Sequence, residues 1–307
     1  MAIQSAQVYL NGTWYALTYN SGTGKYEATL TAPGTTSWNQ PNNVYAMQVR
    51  ATNTANTTTT VGTNDPTVGN SLKLRVKETV APTISITSPG AGSYVTNSQQ
   101  PIVFQLRDES GGSGIDLSTL QLKVDGGSAI GSGGSGMVCT AVTNGYDCTY
   151  TPPAPLSDGS HTITINVSDN DGNAATQASR TYTIDTVPPT LNVTNPSAGF
   201  ITNTAALTVQ GSTNDATSSP VTITISLNSV DQGAVSVDGS GNFSKGITLA
   251  EGSNTIVVRA TDAAGRYTEV SRTGTLDTSA PAITSVTITP NPADTGQTII
   301  VSVVISG

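Results

Sequence analysis

Apolar and polar residues alternate along most of this chain with a period of two. "HTITINVSD" (161–169), "VTITISLNS" (221–229) and "NTIVVRATD" (254–262) place β-branched residues at nearly every second position, the signature of strands with one buried face. Turn signals such as "NG", "DG", "SGTG" and "DGSGN" separate these runs, at intervals of about 8–12 residues. No stretch keeps a helical period for more than about two turns. The pattern predicts an all-β chain made of sandwiches.

A repeat divides the chain. An acidic residue stands four positions before a proline three times: Glu78 and Pro82, Asp185 and Pro189, Asp277 and Pro281. A strand running into a tight polar turn also recurs three times, as "VRATNTAN" (49–56), "NVSDNDGN" (166–173) and "VRATDAAG" (258–265). Self-similarity of this kind marks a tandem array. The predicted units are an incomplete module lacking two opening strands at 1–78, modules at 79–186 and 187–278, and a terminal strand pair at 279–307. "GGSAIGSGGSG" (126–136) lengthens the second module, and its composition predicts a flexible loop.

The linkers and turns carry a resemblance. "DTVPPTLNVTNP", "NVSDNDGNAA" and "VRATDAAGR" are similar to tandem bacterial Ig-like domains, in which an Asp-Thr-x-x-Pro linker precedes strand A and a Val-x-Asp-x-x-Gly turn joins strands F and G. The chain also resembles Ig-like proteins encoded among the tail genes of phages and prophages of Gram-positive bacteria. The resemblance spans the whole chain. It implies tandem Ig-like β-sandwiches and a structural place in a virion, although Ig modules host many functions.

The strand count differs between modules. The second opens with "TISITSP" (83–89) and "PIVFQL" (101–106), and the third with "TLNVTNP" (190–196) and "AALTVQG" (205–211). The first opens instead on "AQVYLNGTWYALTYN", which matches mid-module strands, while the end of the chain carries "AITSVTITP" (282–290) and "TIIVSVVIS" (298–306). Pro82 to Pro189 is 107 residues; the 27 residues from Pro281 and the 81 before Pro82 together make 108. Ile102, Phe104 and Leu106 follow Pro82 by 20, 22 and 24 positions, and Val301, Val303 and Ile305 follow Pro281 by the same intervals. Side chains alternate across a strand, so these residues take the same face.

The expectation is that Ile283, Val286, Ile288, Val301, Val303 and Ile305 are exchanged between subunits. The tail of one chain would complete the head of the next, as in donor-strand complementation. Two stiff modules separate the ends, which disfavours closure within one chain. Such a contact is heterologous and builds a ring or a filament. The alternatives are a fourth domain that is cut off, or a head that folds alone beside a loose tail.

Composition narrows the function. The formal charge is −8 with 12 Lys and Arg and no basic run, so no nucleic-acid partner is expected. The longest apolar stretch, around "IIVSVVI", is too short to span a bilayer. "MAIQSAQVYLNG" shows neither a basic nor an apolar leader region, which fits release by lysis within a phage particle, or a trimmed leader. The virion is the expected location and the bacterial surface the alternative.

No enzyme and no cofactor are expected. The single histidine, His161, is matched by Asn254 in the next module and reads as a turn or surface residue. "GSGGSG" matches only a linker, and no phosphate-binding loop opens a helix. Glu78, Asp169, Asp171, Asp185, Asp262 and Asp277 are oxygen ligands of the kind calcium takes, and calcium binds some Ig-like adhesins that this chain resembles. Their positions are unevenly filled, with Asn53 in the first module, and Asp and Asn also suit tight turns. No metal site is therefore expected.

Seven of the 15 aromatics lie in the first 45 residues: Tyr9, Trp14, Tyr15, Tyr19, Tyr26, Trp38 and Tyr45. Adjacent Trp14 and Tyr15 point to opposite faces of a strand, which suits packing between subunits and also permits stacking on a host-surface glycan. Cys139 and Cys148 face each other only if the turn is Val142-Thr143-Asn144-Gly145; a two-residue Asn-Gly turn sets Cys148 against Ala141. The sequence reading is thus a non-enzymatic component of a phage tail or related appendage, partnered by its own copies and other tail proteins. The alternative is a fragment of a surface adhesin built of spacer modules.

Overall fold

The computed structural model describes residues 2–307, and almost every element is a β-strand. Contacts group the chain into two compact units, Met1–Ile184 and Asp185–Gly307. The first contains the first and second modules; the other contains the third module and the terminal strand pair.

The second module is a two-sheet sandwich. One sheet orders Met137–Val142, Gly145–Tyr150, Ile102–Arg107 and Thr83–Ser88; the other orders Ile115–Val124, Gly159–Asp169, Ala178–Ile184 and Tyr94–Val95. The period-two pattern sends Ile102, Phe104 and Leu106 inward from one sheet. They meet Leu122, Ile163, Ile165 and Ile184 from the other in one core. Full burial of such side chains stabilises by about 1.5–3 kcal/mol each before entropy is counted. The third module repeats the design, with Thr190–Asn195, Ala206–Asn214 and Asn242–Thr248 facing a five-stranded sheet built on Thr222–Leu227, Gly252–Thr261 and Tyr267–Leu276.

The Gly/Ser-rich insertion departs from its predicted flexible character. Ile130 folds back on Leu122 through two backbone hydrogen bonds of 2.8 and 2.9 Å. Its side chain packs against the core. One apolar residue among the glycines is enough to pin the loop.

The first module has one five-stranded sheet, ordered Lys25–Glu27, Thr13–Asn20, Ile3–Leu10, Gln48–Asn53 and Thr58–Gly62. A short pair, Tyr45–Ala46 with Lys73–Leu74, lies apart from it. The inner face of the large sheet carries Ala6, Val8 and Leu10, which are buried. Their cross-strand neighbours Leu17, Val49 and Ala51 are only half-buried. Tyr15, directly opposite Val8, is 38% exposed. Beyond Glu27 the chain runs through residues 28–33 without joining any strand. In the third module the strand that follows the equivalent edge, Asn242–Thr248, pairs with Ala206–Asn214.

Candidate functional site

The terminal pair Ala282–Thr289 and Ile300–Ser306 forms an antiparallel hairpin that joins no other sheet among the described residues. Its register sets Ile283 opposite Ile305, Val286 opposite Val303 and Ile288 opposite Val301. A bulge at Thr284 brings Ile283 into line with the other two pairs. The six residues singled out by spacing therefore form three Ile/Val pairs on one face. The opposite face pairs Thr287 with Ser302, Ser285 with Val304 and Thr289 with Ile300. Among the described residues nothing covers the apolar face: Ile283 is 67% exposed, Ile305 61% and Val303 46%. The matching ribbon in the second module pairs Leu106 with Ile84 and Phe104 with Ile86, and there Leu106 and Phe104 are solvent-free.

The aromatic residues of the first module divide between the two faces of its sheet. Trp14 lies on the outer face, 5.3 Å from the Tyr9 ring and under the Arg50 guanidinium at 4.1 Å. Tyr15 lies on the inner face beside Val8, and Tyr45 is buried. The exposed member of the Trp14–Tyr15 pair thus belongs to the uncovered inner surface.

Two groups of acids come together. One oxygen from each of Glu78, Asp108 and Asp169 lies within 4.8 Å of the others, and the same holds for Asp185, Asp215 and Asp262. The linker acids Glu78 and Asp185 and the turn acids Asp169 and Asp262 are among the acids singled out in the sequence. Asp108 and Asp215 escaped the sequence reading. Each follows its module's opening proline by 26 positions, and that spacing was the available signal. Asp171 lies beside the first group, accepting from the Thr36 hydroxyl at 2.5 Å and the Glu78 amide at 3.1 Å. Asp277 joins neither group; its carboxylate accepts from the Ser279 amide at 3.0 Å. In the first group, burial raises the Asp108 carboxyl above its ordinary value. Glu109 is pushed up to about 7, first by its hydrogen bond with Glu78 and then by burial.

His161 is buried, contrary to its reading as a turn or surface residue. Its Nδ1 lies 2.7 Å from Asp125 Oδ2 and its Nε2 lies 2.8 Å from the Ser157 carbonyl oxygen. Asn254 takes the same place in the third module. Its amide donates to the Ala250 carbonyl at 2.7 Å, and Asn228 stands where Asp125 does. The polar pair seals a strand entrance in the second and third modules.

Cys139 and Cys148 are cross-strand partners and are joined by a disulfide. The hairpin turns through Val142-Thr143-Asn144-Gly145, with Asn144 in the left-handed region at φ 57. The closed loop is short, so reduction should cost about 2 kcal/mol and leave the module folded. Urea unfolding with and without reductant measures this. A second module unfolded by reductant alone would contradict it.

Two family profiles match the chain. The bacterial Ig domain profile covers residues 82–165, and that of glucodextranase domain B covers residues 189–278. The chain is an array of tandem Ig-like domains. No curated protein matches it. Among solved structures, the Clostridium thermocellum CbhA fibronectin(III)-like modules are 16% identical, with a TM-score of 0.40 over 63% of this chain and 94% of theirs. Sidekick-1 immunoglobulin domains 1–4 are 13% identical, with a TM-score of 0.38 over 90% of this chain and 68% of theirs. A tetra-tandem repeat from the extending region of a large adhesion protein is 18% identical, with a TM-score of 0.32 over 98% and 79%. These likenesses are too distant to speak to activity. Among the described residues, no helix is long and apolar enough to cross a membrane.

Proposed function

We propose that this chain is a non-enzymatic structural protein that links head to tail with copies of itself, the terminal hairpin of one copy closing the first module of the next. Tandem Ig-like domains fit a structural or spacer role. The observation that carries the finer reading is the hairpin's uncovered face of three Ile/Val pairs. Its receptor is the inner face of the first module's sheet, where Tyr15 is exposed beside Val8. The unpaired segment 28–33 offers an edge to the strand Ile300–Ser306, as Asn242–Thr248 does to Ala206–Asn214. An open edge beside a half-covered apolar face is a site for strand addition.

Burial of six Ile and Val side chains yields about 1.5–3 kcal/mol each before ordering costs. The contact joins unlike surfaces, so it propagates into a ring or a filament. A phage tail or a related appendage is the setting that suits such an assembly, with the virion as its location. A bacterial surface adhesin built of the same spacers is the other setting. Native mass measurement of the 307-residue chain tests the reading. Concentration-dependent oligomers are expected, and a chain that stays monomeric at high concentration would sink it.

A further inference from the structure

At the end of the first module's large sheet, beside the short pair Tyr45–Ala46 and Lys73–Leu74, lies a cavity of about 720 Å³, a size that suits a small ligand. Its wall includes Tyr9, Asn11, Gln40, Asn42, Lys73 and Arg75. Lys73 and Arg75 stand two apart, so extended backbone turns both to one side. Among the described residues no acid lines the cavity. Asp65, one residue beyond the lining Asn64, is turned instead to the Thr67 and Val68 amides at 2.9 and 3.0 Å. Lys73 donates to Asn70 Oδ1 at 2.9 Å, and neither cation forms an ion pair among the described residues. The module around them is positive in an acidic chain. Residues 1–77 hold five of the 12 Lys and Arg and two of the 20 Asp and Glu, a formal charge of +3, against −11 for residues 78–307. Such asymmetry draws anions to one module. The wall is also strained at Asn42 and Asn43, which take left-handed backbone in succession at φ 58 and 55, a costly arrangement outside glycine.

We propose that this cavity binds a saccharide bearing a carboxylate or phosphate group. Arg75 offers a planar fork that meets either group through two parallel hydrogen bonds, and Lys73 adds a second charge. The side-chain amides of Asn11, Gln40 and Asn42 both donate and accept, as sugar hydroxyls do. Tyr9 supplies a ring for the apolar side of a sugar, and the Trp14 ring holds it in place at 5.3 Å. A neutral sugar would leave both cations without a counter-charge. A bare inorganic ion would leave most of the cavity unfilled and the amides without partners. An acidic sugar meets both demands at once. Tyr9 lies on the sheet face opposite Val8, so the site stands apart from strand exchange. A monomeric chain that binds would sink the assembly and leave this inference standing.

The test is calorimetric titration of the 307-residue chain with trigalacturonate, glucose 6-phosphate, maltotriose and inorganic phosphate. At least one of the two acidic sugars should bind at a single site per chain, and which of them binds names the acid. Maltotriose and inorganic phosphate should bind at least about tenfold more weakly. Affinity should fall as salt rises from about 0.05 to 0.5 M, since attraction between exposed charges is screened. Arg75→Ala should weaken binding about tenfold or more, and Arg75→Lys should recover little of it, because a point charge does not replace the fork. Lys73→Ala should weaken binding less. Both side chains are exposed, so the unfolding midpoint should not move in these variants. Failure of both acidic sugars to bind overturns the proposal, as does equal binding of maltotriose or an unaltered affinity in Arg75→Ala. Inorganic phosphate that binds as tightly as the acidic sugars would mark an ion site only and overturn the saccharide assignment.

Discussion

Deleting residues 281–307 should stop the proposed assembly and leave the second and third modules folded. The complete modules hold their cores among their own strands, and neither core includes a hairpin residue. The first module loses the surface expected to cover Val8, Tyr15 and Val49, so it should aggregate or unfold early. A copy of 281–307 fused through a flexible linker to the N-terminus, in the chain lacking its own tail, should restore a folded first module. The linked hairpin acts at high effective concentration. Val301→Asp with Val303→Asp should mimic the deletion, since both side chains lie on the apolar face opposite Ile288 and Val286 and would place unpaired charges in the closed core. Ile300→Thr should do far less, because Ile300 faces Thr289 on the other side. Sedimentation at several concentrations reads the outcome. Normal assembly by the deleted chain would end the strand-exchange reading.

Replacing His161 with Ala should cost the second module about 1–3 kcal/mol, because it leaves the Ser157 carbonyl without its ring donor and removes the contact with the half-exposed Asp125 carboxylate. Both partners of the ring accept hydrogen bonds, so both nitrogens must donate and the imidazole carries a proton. Burial pulls its pKa down, but the Ser157 carbonyl and Asp125 outweigh burial and raise it above the ordinary value. A raised folded pKa means that the stabilisation is full below the unfolded value near 6.5 and is lost as pH rises through the folded value. The double change D125N/H161N transplants the Asn228–Asn254 pair of the third module. It should recover most of the lost stability and remove this pH dependence. Urea unfolding between about pH 5 and 9 measures both. A wild-type midpoint that rises through this range in step with His161 deprotonation would contradict the assignment.

The hairpin was legible in the sequence because strand faces follow a strict period of two, so matched spacing from a proline fixes the side on which Val301, Val303 and Ile305 lie. The places of Asp108 and Asp215 were not legible through the repeated turn, because they sit after a different strand and meet Asp169 and Asp262 only through the sandwich. His161 was misread for a related reason. Substitution by Asn254 looked like surface tolerance, but both side chains bind the carbonyl four residues earlier and both are buried. Ile130 was hidden by its glycine neighbours, since composition reports the freedom of a loop and not the one contact that ends it.

In each complete module a short strand runs parallel to the last one. Thr183 and Ile184 lie beside Tyr94 and Val95, and Gly274 to Leu276 lie beside Phe200 to Thr202. A pull on the two ends of a module drives these neighbours past each other lengthwise. The bonds from Gly92 to Thr181 and from Thr183 to Ser93 lie across that direction and take the load together. The same number of bonds in a hairpin drawn apart from its open end would break singly, each in its turn. Tension along the chain therefore meets each complete module where its backbone is loaded in shear, and these two modules should extend last when the array is stretched.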